Sequence, residues 1–445
     1  MSADQTSQWR TGPGFVMAAL GAAVGLGNIW RFSYVAGENG GGAFVLAYLV
    51  CVLVIGVPLL IAELAIGRAS HTDPVMAFAR VAPGRPWRWA GWLGVAACMA
   101  ILGYYPAVAG WVANHLWQVA AHGVDPAGTV DHAARFAAML ADPWQALLWQ
   151  GVVLAAGTVV VAAGIAGGIE RASSILMPLF FLLLIGLALH GLTLDGAGRA
   201  LDFLFRPDWV ALVRSRTWLA GVGQAFFSLG LAMGILVTYG GYLPRAQRLA
   251  PAALVIALGD TAVSLVAGLI VFPAVFTYGF DPAQGTTLVF AVLPEVFAAL
   301  PAGRIVAMAF YLLLSIAALT SLVSLIEVPV AMLVARRQRR PWATLAVAAG
   351  AGVLGLPAGL GFGALAPHLP GERPFLDRLD QVASDILLPL SGIAIALVAG
   401  WRWRRDAALG EAGLSGTAGL LWLWSLRALL PLSISLAMAR GLGLL

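Results

Sequence analysis

The sequence predicts an all-α polytopic membrane protein that crosses the bilayer about eleven times and contains two inverted repeats. Its 445 residues are 60% hydrophobic and only 11% charged, with a mean hydropathy of +0.89, which soluble proteins of this length do not show. Eleven apolar stretches are each long enough to cross a bilayer, which takes about 20 residues. Two of these stretches, five apart, are interrupted by glycines at corresponding places.

The eleven predicted spans are joined by segments that carry most of the arginines. The spans lie near residues 14–36, 41–67, 90–121, 146–165, 170–190, 217–240, 250–277, 302–335, 342–365, 382–402 and 419–440. Arginines are more frequent in the segments that face the cytoplasm when the N-terminus is cytoplasmic. The positive-inside rule therefore predicts a cytoplasmic N-terminus and, after eleven spans, an external C-terminus. The first apolar run is too long for a cleavable signal peptide, so we expect none.

Several classes of function are disfavoured by the composition and the motifs. Cys51 and Cys98 lie in apolar runs, which predicts neither a disulfide framework nor a metal cluster. The pI of 9.6 does not indicate nucleic-acid binding, because the arginines are spread over loops. An intramembrane enzyme is disfavoured because the sequence contains no HExxH motif, no histidine pair at helical spacing and no Gly-x-Ser-x-Gly motif.

Glycine-rich interruptions in spans 1 and 6 predict the inverted repeat. Span 1 is interrupted at GAAVGLGN (residues 21–28) and span 6 within GQAFFSLGLAMGILVTYGG (residues 223–241). Because the spans are five apart, the second crosses in the opposite direction, which is the pattern of inverted repeats. Glycines that only allow close helix packing are the alternative, and the matched positions disfavour it. The predicted divisions are an N-terminal segment 1–13, a first repeat 14–190, a second repeat 217–402 and a last span 419–440.

A broken helix in the bilayer frees backbone carbonyls and amides for binding. Such groups cost several kcal/mol each in lipid and must therefore line a protected cavity. Half-helix N-termini favour a carboxylate, and freed carbonyls favour a hard cation such as Na⁺. A zwitterionic amino acid bound with sodium meets both preferences. A midplane site of this kind suits alternating access better than a channel.

Five stretches carry a family resemblance. They are GAAVGLGNIWRFSYVAGENGGGAF (21–44), PLLIAELAIGR (58–68), GQAFFSLGLAMG (223–234), GDTAVSLVAGLIVFP (259–273) and LTSLVSLIEVPVA (319–331). The chain resembles the neurotransmitter:sodium symporter family from about residue 9 to 440. The resemblance implies a LeuT-like 5+5 inverted repeat with helices 1 and 6 broken at the midplane, in a bacterial cell membrane. The family usually has twelve spans, and the eleven spans predicted here resemble those of a shorter bacterial branch.

The resemblance implies two sodium ions bound by oxygen ligands, as a hard cation requires. The first site would use Ala23, Asn28, Ser228 and Asp260 together with the substrate carboxylate. The second would use Gly21, Val24, Ala317, Thr320 and Ser321. By themselves, Thr320 and Ser321 would be read as hydroxyls bonded to their own helix backbone. An intramembrane acid such as Asp260 indicates function by default.

The resemblance also implies a pocket for a hydrophobic amino acid, aliphatic or aromatic. Its residues would be Ala23, Leu26, Gly27, Ile101, Tyr105, Phe227, Ser228, Gly230, Met233, Ser321 and Leu325. The amides of Leu26 and Gly27 and the Tyr105 hydroxyl would meet the substrate carboxylate. Gly230 would leave volume for a large side chain, and Met233 would adapt its shape. The expected partners are this small molecule and the bilayer, with no nucleic acid and no obligate protein partner.

An outer and an inner gate are expected around this pocket. On the outer side Arg31 would pair with Asp380 of span 10, with Phe227 as a lid, and Glu38 is the alternative partner of Arg31. The family's inner pair, an N-terminal arginine with a span-8 aspartate, is missing here. Its positions read Thr6 and Ala335, so Trp9 and Tyr242 are expected to close the inner side.

Two further intramembrane acids, Glu63 and Glu327, are expected to bond the freed backbone of the broken helices. Proton coupling through Asp260 or Glu63 is the alternative to sodium coupling. Some family members also bind chloride, and the equivalent positions here are Tyr48, Gln224, Ser228, Asp260 and Ser264. Because Asp260 already supplies a negative charge at this place, chloride is not expected.

Overall fold

The computed structural model of the chain confirms the predicted all-helical membrane architecture. It describes residues 8–84, 87–124, 131–280, 288–300, 302–369 and 373–444. Within them, nine helices are long and apolar enough to cross a membrane, and one bent helix pair passes the same test together. The first seven residues of the predicted segment 1–13, including Thr6, lie outside the described residues.

Eleven spans result when the two broken helices are each counted as one crossing. The continuous spans are Gly42–Ser70, Arg88–His122, Pro143–Ala162, Ile165–Gly191, Leu249–Thr277, Gly303–Ala335, Arg340–Leu360, Phe375–Arg402 and Gly416–Gly441. Span 1 consists of Gly12–Ala23 and Gly27–Glu38, bent by 56° at the break. Span 6 consists of Ser215–Ser228 and Ile235–Gly241, and each piece is too short to cross alone.

Short helices connect the spans. They are Pro74–Val81, His132–Ala141, Ala197–Phe205, Trp209–Leu212, Leu293–Ala299, Arg405–Ala412 and the 3-10 turn Ala366–His368. Span 10 begins at Phe375, earlier than the predicted start near residue 382. The sequence-based prediction missed its first two turns because they carry acids that interrupt the apolar pattern.

The break in span 6 is built from backbone that a helix cannot contain. Gly230, Ala232 and Gly234 have φ values of 61°, 65° and 75°, in the left-handed region that glycine adopts without strain. Ala232 is held there from both sides. Its N–H donates to Glu63 Oε1 at 2.7 Å, and its carbonyl accepts from Ser391 Oγ at 2.7 Å. Glu63 therefore bonds freed backbone, as expected from the sequence.

Glycines bring span 2 and the second half of span 6 into close contact. A Cβ on Gly67 would lie 2.0 Å from the Val237 carbonyl oxygen, and one on Gly240 would lie 2.6 Å from that of Leu64. The first half of span 1 packs against spans 5, 7 and 8. The two broken helices therefore lie inside the bundle, where protein surrounds their unpaired backbone groups.

Candidate functional site

A buried polar cluster joins the break in span 1 to spans 6 and 7. Asn28 Nδ2 donates to Asp260 Oδ1 at 2.6 Å, to Ser228 Oγ at 2.9 Å and to Ser264 Oγ at 3.0 Å. Ser228 Oγ also donates to Asp260 Oδ2. The Asn28 oxygen accepts from the Gly25 amide at 2.9 Å. Three of the four residues predicted for the first sodium site are therefore in mutual contact.

The residues at the chloride-equivalent positions surround the same carboxylate, with one exception. Tyr48 Oη lies 3.3 Å from Ser228 Oγ and 3.5 Å from Asp260 Oδ2. Gln224 Nε2 instead donates to the Gly27 carbonyl at 3.2 Å, and its buried Oε1 accepts no hydrogen bond from the described residues. Gln224 thus supports the broken backbone of span 1.

Span 8 presents hydroxyls to the end of the first half of span 1. Ser321 Oγ lies 3.4 Å from the carbonyl oxygens of both Gly21 and Val24. Thr320 Oγ1 lies 3.0 Å from the carbonyl oxygen of Ile316 and 3.1 Å from that of Ala317. Ser321 Oγ therefore lies beside two of the carbonyls predicted for the second sodium site, whereas the Thr320 hydroxyl bonds its own helix backbone. The Ala22 carbonyl, 3.5 Å from Ser321 Oγ, was not predicted.

A cavity lies between the two breaks. It is lined by Ala22, Ala23, Gly25, Leu26, Gly27, Asn28, Ile101, Tyr105, Phe227, Gly230, Met233, Ile235, Ser321 and Leu325. Ten of the eleven predicted pocket residues line it, and the remaining one, Ser228, faces the polar cluster. Sequence reasoning missed Ala22, Gly25 and Ile235 as lining residues, although all three lie in or beside the recognised breaks. The Tyr105 hydroxyl oxygen is buried in this lining.

Two glycines shape this cavity in different ways. A Cβ on Gly27 would lie 2.6 Å from the Phe227 ring, so the ring packs directly on the backbone of span 1. A Cβ on Gly230 would meet only the Ala22 carbonyl oxygen, at 3.8 Å. There is thus room beside Gly230, but its positive φ makes any larger residue strained there.

The outer side differs from the expected gate. The guanidinium carbon of Arg31 lies 4.5 Å from the centroid of the Phe227 ring. Asp380 Oδ1 accepts hydrogen bonds from Tyr104 Oη at 2.6 Å and Ser384 Oγ at 3.2 Å. Within the described ranges Arg31 and Asp380 form no ion pair. The predicted pairing is therefore not formed here, because each partner is held by other side chains.

Glu38, the alternative partner, also forms no ion pair with Arg31 in the part of the chain that the structure describes. Glu38 lies 3.8 Å from Arg216, on the rim of a vestibule between spans 1, 6, 10 and 11. Arg31 and Phe227 both line this vestibule, and Phe227 also lines the cavity. Among the described residues, Phe227 is the side chain common to the two linings.

Residues other than the family's arginine–aspartate pair close the inner side. The Trp9 indole N–H donates to the Tyr239 carbonyl at 3.0 Å, and its backbone N–H donates to the Tyr242 carbonyl at 3.3 Å. Tyr242 Oη donates to Glu327 Oε1 at 2.6 Å. Arg340 contacts both oxygens of Glu327, at 2.8 and 2.9 Å. The interpretation of Glu327 as a ligand of freed backbone is therefore wrong.

A second inner contact was not foreseen from the sequence. Glu170, at the start of span 5, accepts hydrogen bonds from the backbone N–H groups of Arg10 and Thr11, at 2.8 and 3.1 Å. The Thr11 hydroxyl donates to it at 2.9 Å. Thr11 is also the N-cap of span 1, so one carboxylate ties the beginning of span 1 to span 5.

These features define a class of protein before any comparison. A midplane cavity between two broken helices, covered on the inner side and adjoining an outer vestibule, is the arrangement of a secondary transporter. In the part of the chain that the structure describes, no group of three or more His, Cys, Asp or Glu is placed to hold a metal ion. The oxygens at the break of span 1 are carbonyls, hydroxyls and the carboxylate of Asp260, a set of donors that suits a hard cation such as Na⁺.

Comparison with known proteins identifies the family. The model of the sodium:neurotransmitter symporter family matches residues 6–125 and 143–359, and the chain belongs to this family. An uncharacterized sodium-dependent transporter of Bacillus subtilis, YhdH, is 38% identical over 454 residues that cover both chains fully. One from Haemophilus influenzae is 32% identical over 91% of each chain. The crystal structure of MhsT in complex with L-phenylalanine has a TM-score of 0.90 and 44% identity, covering 98% of this chain and 99% of that one. The chain is therefore a sodium-dependent transporter.

Proposed function

We propose that this transporter couples two sodium ions to the import of hydrophobic L-amino acids, aliphatic and aromatic, by alternating access and without chloride. The observation that carries the proposal is the cavity lining. Its walls are apolar, from Ile101, Met233 and Leu325, and its polar groups are concentrated at the break of span 1. An apolar lining favours a substrate whose side chain is uncharged. The bound L-phenylalanine of MhsT, a structure of the same fold, supports this substrate class.

The main-chain groups of the substrate would be held at the breaks. Its carboxylate would accept from the amides of Leu26 and Gly27 and from the hydroxyl of Tyr105, which lines the cavity. Its ammonium would donate to the carbonyls of Ala23, Phe227 and Ser228. Arg31, stacked on Phe227, would move with that ring as it closes over the substrate.

Each sodium ion would be a transported co-substrate. The first would bind beside Asp260. The second would bind between the span 1 carbonyls of Gly21 and Val24 and the span 8 oxygens of Ala317, Thr320 and Ser321. Two cations in a low-dielectric site need compensating negative charge. The substrate carboxylate supplies one charge and Asp260 the other, which is why chloride is not required in this proposal.

The proposed setting is the inner membrane of a bacterium, with a cytoplasmic N-terminus and an external C-terminus. The arginine distribution supports this orientation. Relatives in two bacteria support the cellular setting. No protein partner is required in this proposal.

Uptake into proteoliposomes tests the proposal. An inward sodium gradient should drive accumulation of phenylalanine, leucine and valine, and potassium or choline should not replace sodium. Lysine and glutamate serve as charged controls and should not be accumulated. Uptake that ignores sodium but follows a pH gradient would favour the alternative of proton coupling through Asp260 or Glu63. Accumulation of the charged amino acids would contradict the substrate class.

A further inference from the structure

Arg427 is a cation within span 11 that forms no ion pair with an acid in the described part of the chain. It lies eleven residues into Gly416–Gly441. Its neighbours Leu421, Trp424 and Leu432 are 68%, 57% and 62% exposed, so this stretch of the span faces lipid. A charged side chain in such a place is costly and by default indicates a function.

Arg427 lies where two π-helical segments pack against each other. Ser425–Leu429 carries the residue and packs against Val398–Arg402, at the end of span 10. Arg427 Nε donates to the Gly400 carbonyl at 2.7 Å. A Cβ on Gly400 would lie only 3.1 Å from Arg427 Cγ, so glycine permits this close approach. Single π-helical turns inside α-helices occur frequently at functional sites.

Trp401 holds the same arginine from another side. Its indole N–H donates to the Arg427 carbonyl at 3.2 Å, and its ring centroid lies 5.2 Å from the guanidinium carbon. Trp401 is itself 61% exposed. Hydrogen bonding within the described residues uses only Nε of the guanidinium, which leaves the Nη donors for an acceptor outside the protein.

We propose that Arg427, positioned by Gly400 and Trp401, binds the phosphate of an anionic phospholipid. A guanidinium fork matches the geometry of phosphate, and its hydrogen bonds to an ionised acceptor are stronger than neutral ones. Arg402 ends span 10, Arg404 and Arg405 follow it, and all three are exposed, so further positive charge lies at the same end of the span. The lipid neutralises a cation that the protein leaves without a counter-ion.

Native mass spectrometry of the detergent-purified full chain tests this site. Titration with phosphatidylglycerol should add one tightly retained lipid, whereas phosphatidylcholine should be retained more weakly. Arg427→Gln should lower the apparent affinity for phosphatidylglycerol by about tenfold, the loss of one charge-assisted bidentate contact. Arg440→Gln, at the other end of the same span, is the matched control and should leave the affinity unchanged.

Equal affinity of the wild type and Arg427→Gln for phosphatidylglycerol would overturn the proposal. So would equal retention of the two lipids by the wild type, a comparison that needs no variant. Displacement of the lipid by inorganic phosphate would assign the site to a free anion instead. If Arg427→Gln does not fold, Trp401→Leu keeps the charge and should weaken lipid binding by about two- to fivefold, the loss of a cation–π contact. An unchanged affinity of that variant would also contradict the arrangement.

Discussion

Asp260 places a negative charge where spans 1, 6 and 7 meet. Its side chain is fully buried, and its two oxygens contact Asn28, Ser228 and Tyr48. Two unit charges about 4 Å apart interact by on the order of 4 kcal/mol at an effective dielectric of 20. Asp260 would therefore attract a neighbouring Na⁺ by about this amount and repel a chloride by a similar amount.

Asp260→Asn should make transport depend on chloride. The variant loses the fixed charge but keeps the hydroxyls of Tyr48, Ser228 and Ser264, which donate to an anion. Phenylalanine uptake should be impaired in sodium gluconate and partly restored in sodium chloride. Asp195→Asn, at an exposed turn, is the matched control and should behave as the wild type. A wild type that already needs chloride, or an Asp260→Asn variant indifferent to it, would show that Asp260 does not act at this site.

Met233 offers a better test of pocket size than Gly230. Leucine at 230 would have to adopt φ near 61°, so its effect on transport would mix backbone strain with lost volume. Met233 is buried in a helical break but has a negative φ, and it lines the cavity. A change of its volume therefore acts on the substrate side chain.

Met233→Phe should discriminate against large substrates. The added ring should reduce uptake of tryptophan more than that of valine, and the difference should be roughly 1–3 kcal/mol in transition-state free energy. Competition of each amino acid with labelled phenylalanine measures this ratio. Met308→Phe, a half-exposed position on span 8, controls for general effects of the substitution. An equal loss of uptake for all substrates would show that Met233 does not contact the substrate side chain.

At the scale of the elements, three segments meet to close the inner side. Trp9 before span 1, Tyr242 after span 6 and Glu327 in span 8 are joined by hydrogen bonds, and Arg340 at the start of span 9 neutralises Glu327. Glu327 is fully buried, and the Arg340 side chain is 18% exposed. Removing one member of such a pair leaves a buried charge without compensation, at a typical cost of about 3–5 kcal/mol.

Arg340→Gln should loosen this inner closure. Without the guanidinium, Glu327 draws in water, and the contact of Tyr242 with the N-terminal segment weakens. Hydrogen–deuterium exchange should become faster in peptides covering residues 8–20 and 236–244. Arg339→Gln changes the exposed neighbouring arginine and should leave exchange unchanged. The same exchange rates in both variants would mean that the Glu327–Arg340 pair does not hold the inner side.

For the whole molecule, the candidate site lies between the two repeats. Asn28, Gly21 and Val24 come from the first repeat, whereas Asp260 and Ser321 come from the second. A ligand that bridges them stabilises the folded chain by mass action, by about 2.7 kcal/mol when its concentration is 100 times its dissociation constant.

Sodium and a hydrophobic amino acid should therefore raise the unfolding temperature together. Each alone should have a smaller effect, because in the proposed arrangement the substrate carboxylate would complete the first ion site. Thermal unfolding in detergent, followed by tryptophan fluorescence, measures the shift against choline chloride at the same ionic strength. Lysine added in place of the hydrophobic amino acid should produce no shift beyond that of sodium alone. An equal shift in choline would show that the ions act only through ionic strength.

The sequence alone determined the spans and the place of the breaks. Hydrocarbon excludes unpaired backbone and charged side chains, so apolar runs of sufficient length must be membrane helices. Glycines at 21, 25 and 27, and at 230 and 234, indicated where the helix is interrupted. The start of span 10 was misplaced because Asp377 and Asp380 interrupt the apolar pattern of a helix that nevertheless continues through them.

Only the tertiary structure decided which charged and aromatic groups are partners. Glu170 holds the N-terminal segment across 160 residues of sequence, and Arg31 stacks on Phe227 and not against Asp380. Glu327 binds Arg340, although its motif suggested a contact with freed backbone. Several acids and hydroxyls could satisfy each of these groups. The choice among them depends on the positions to which packing brings helices that are distant in the chain, and hydropathy and local motifs do not contain that information.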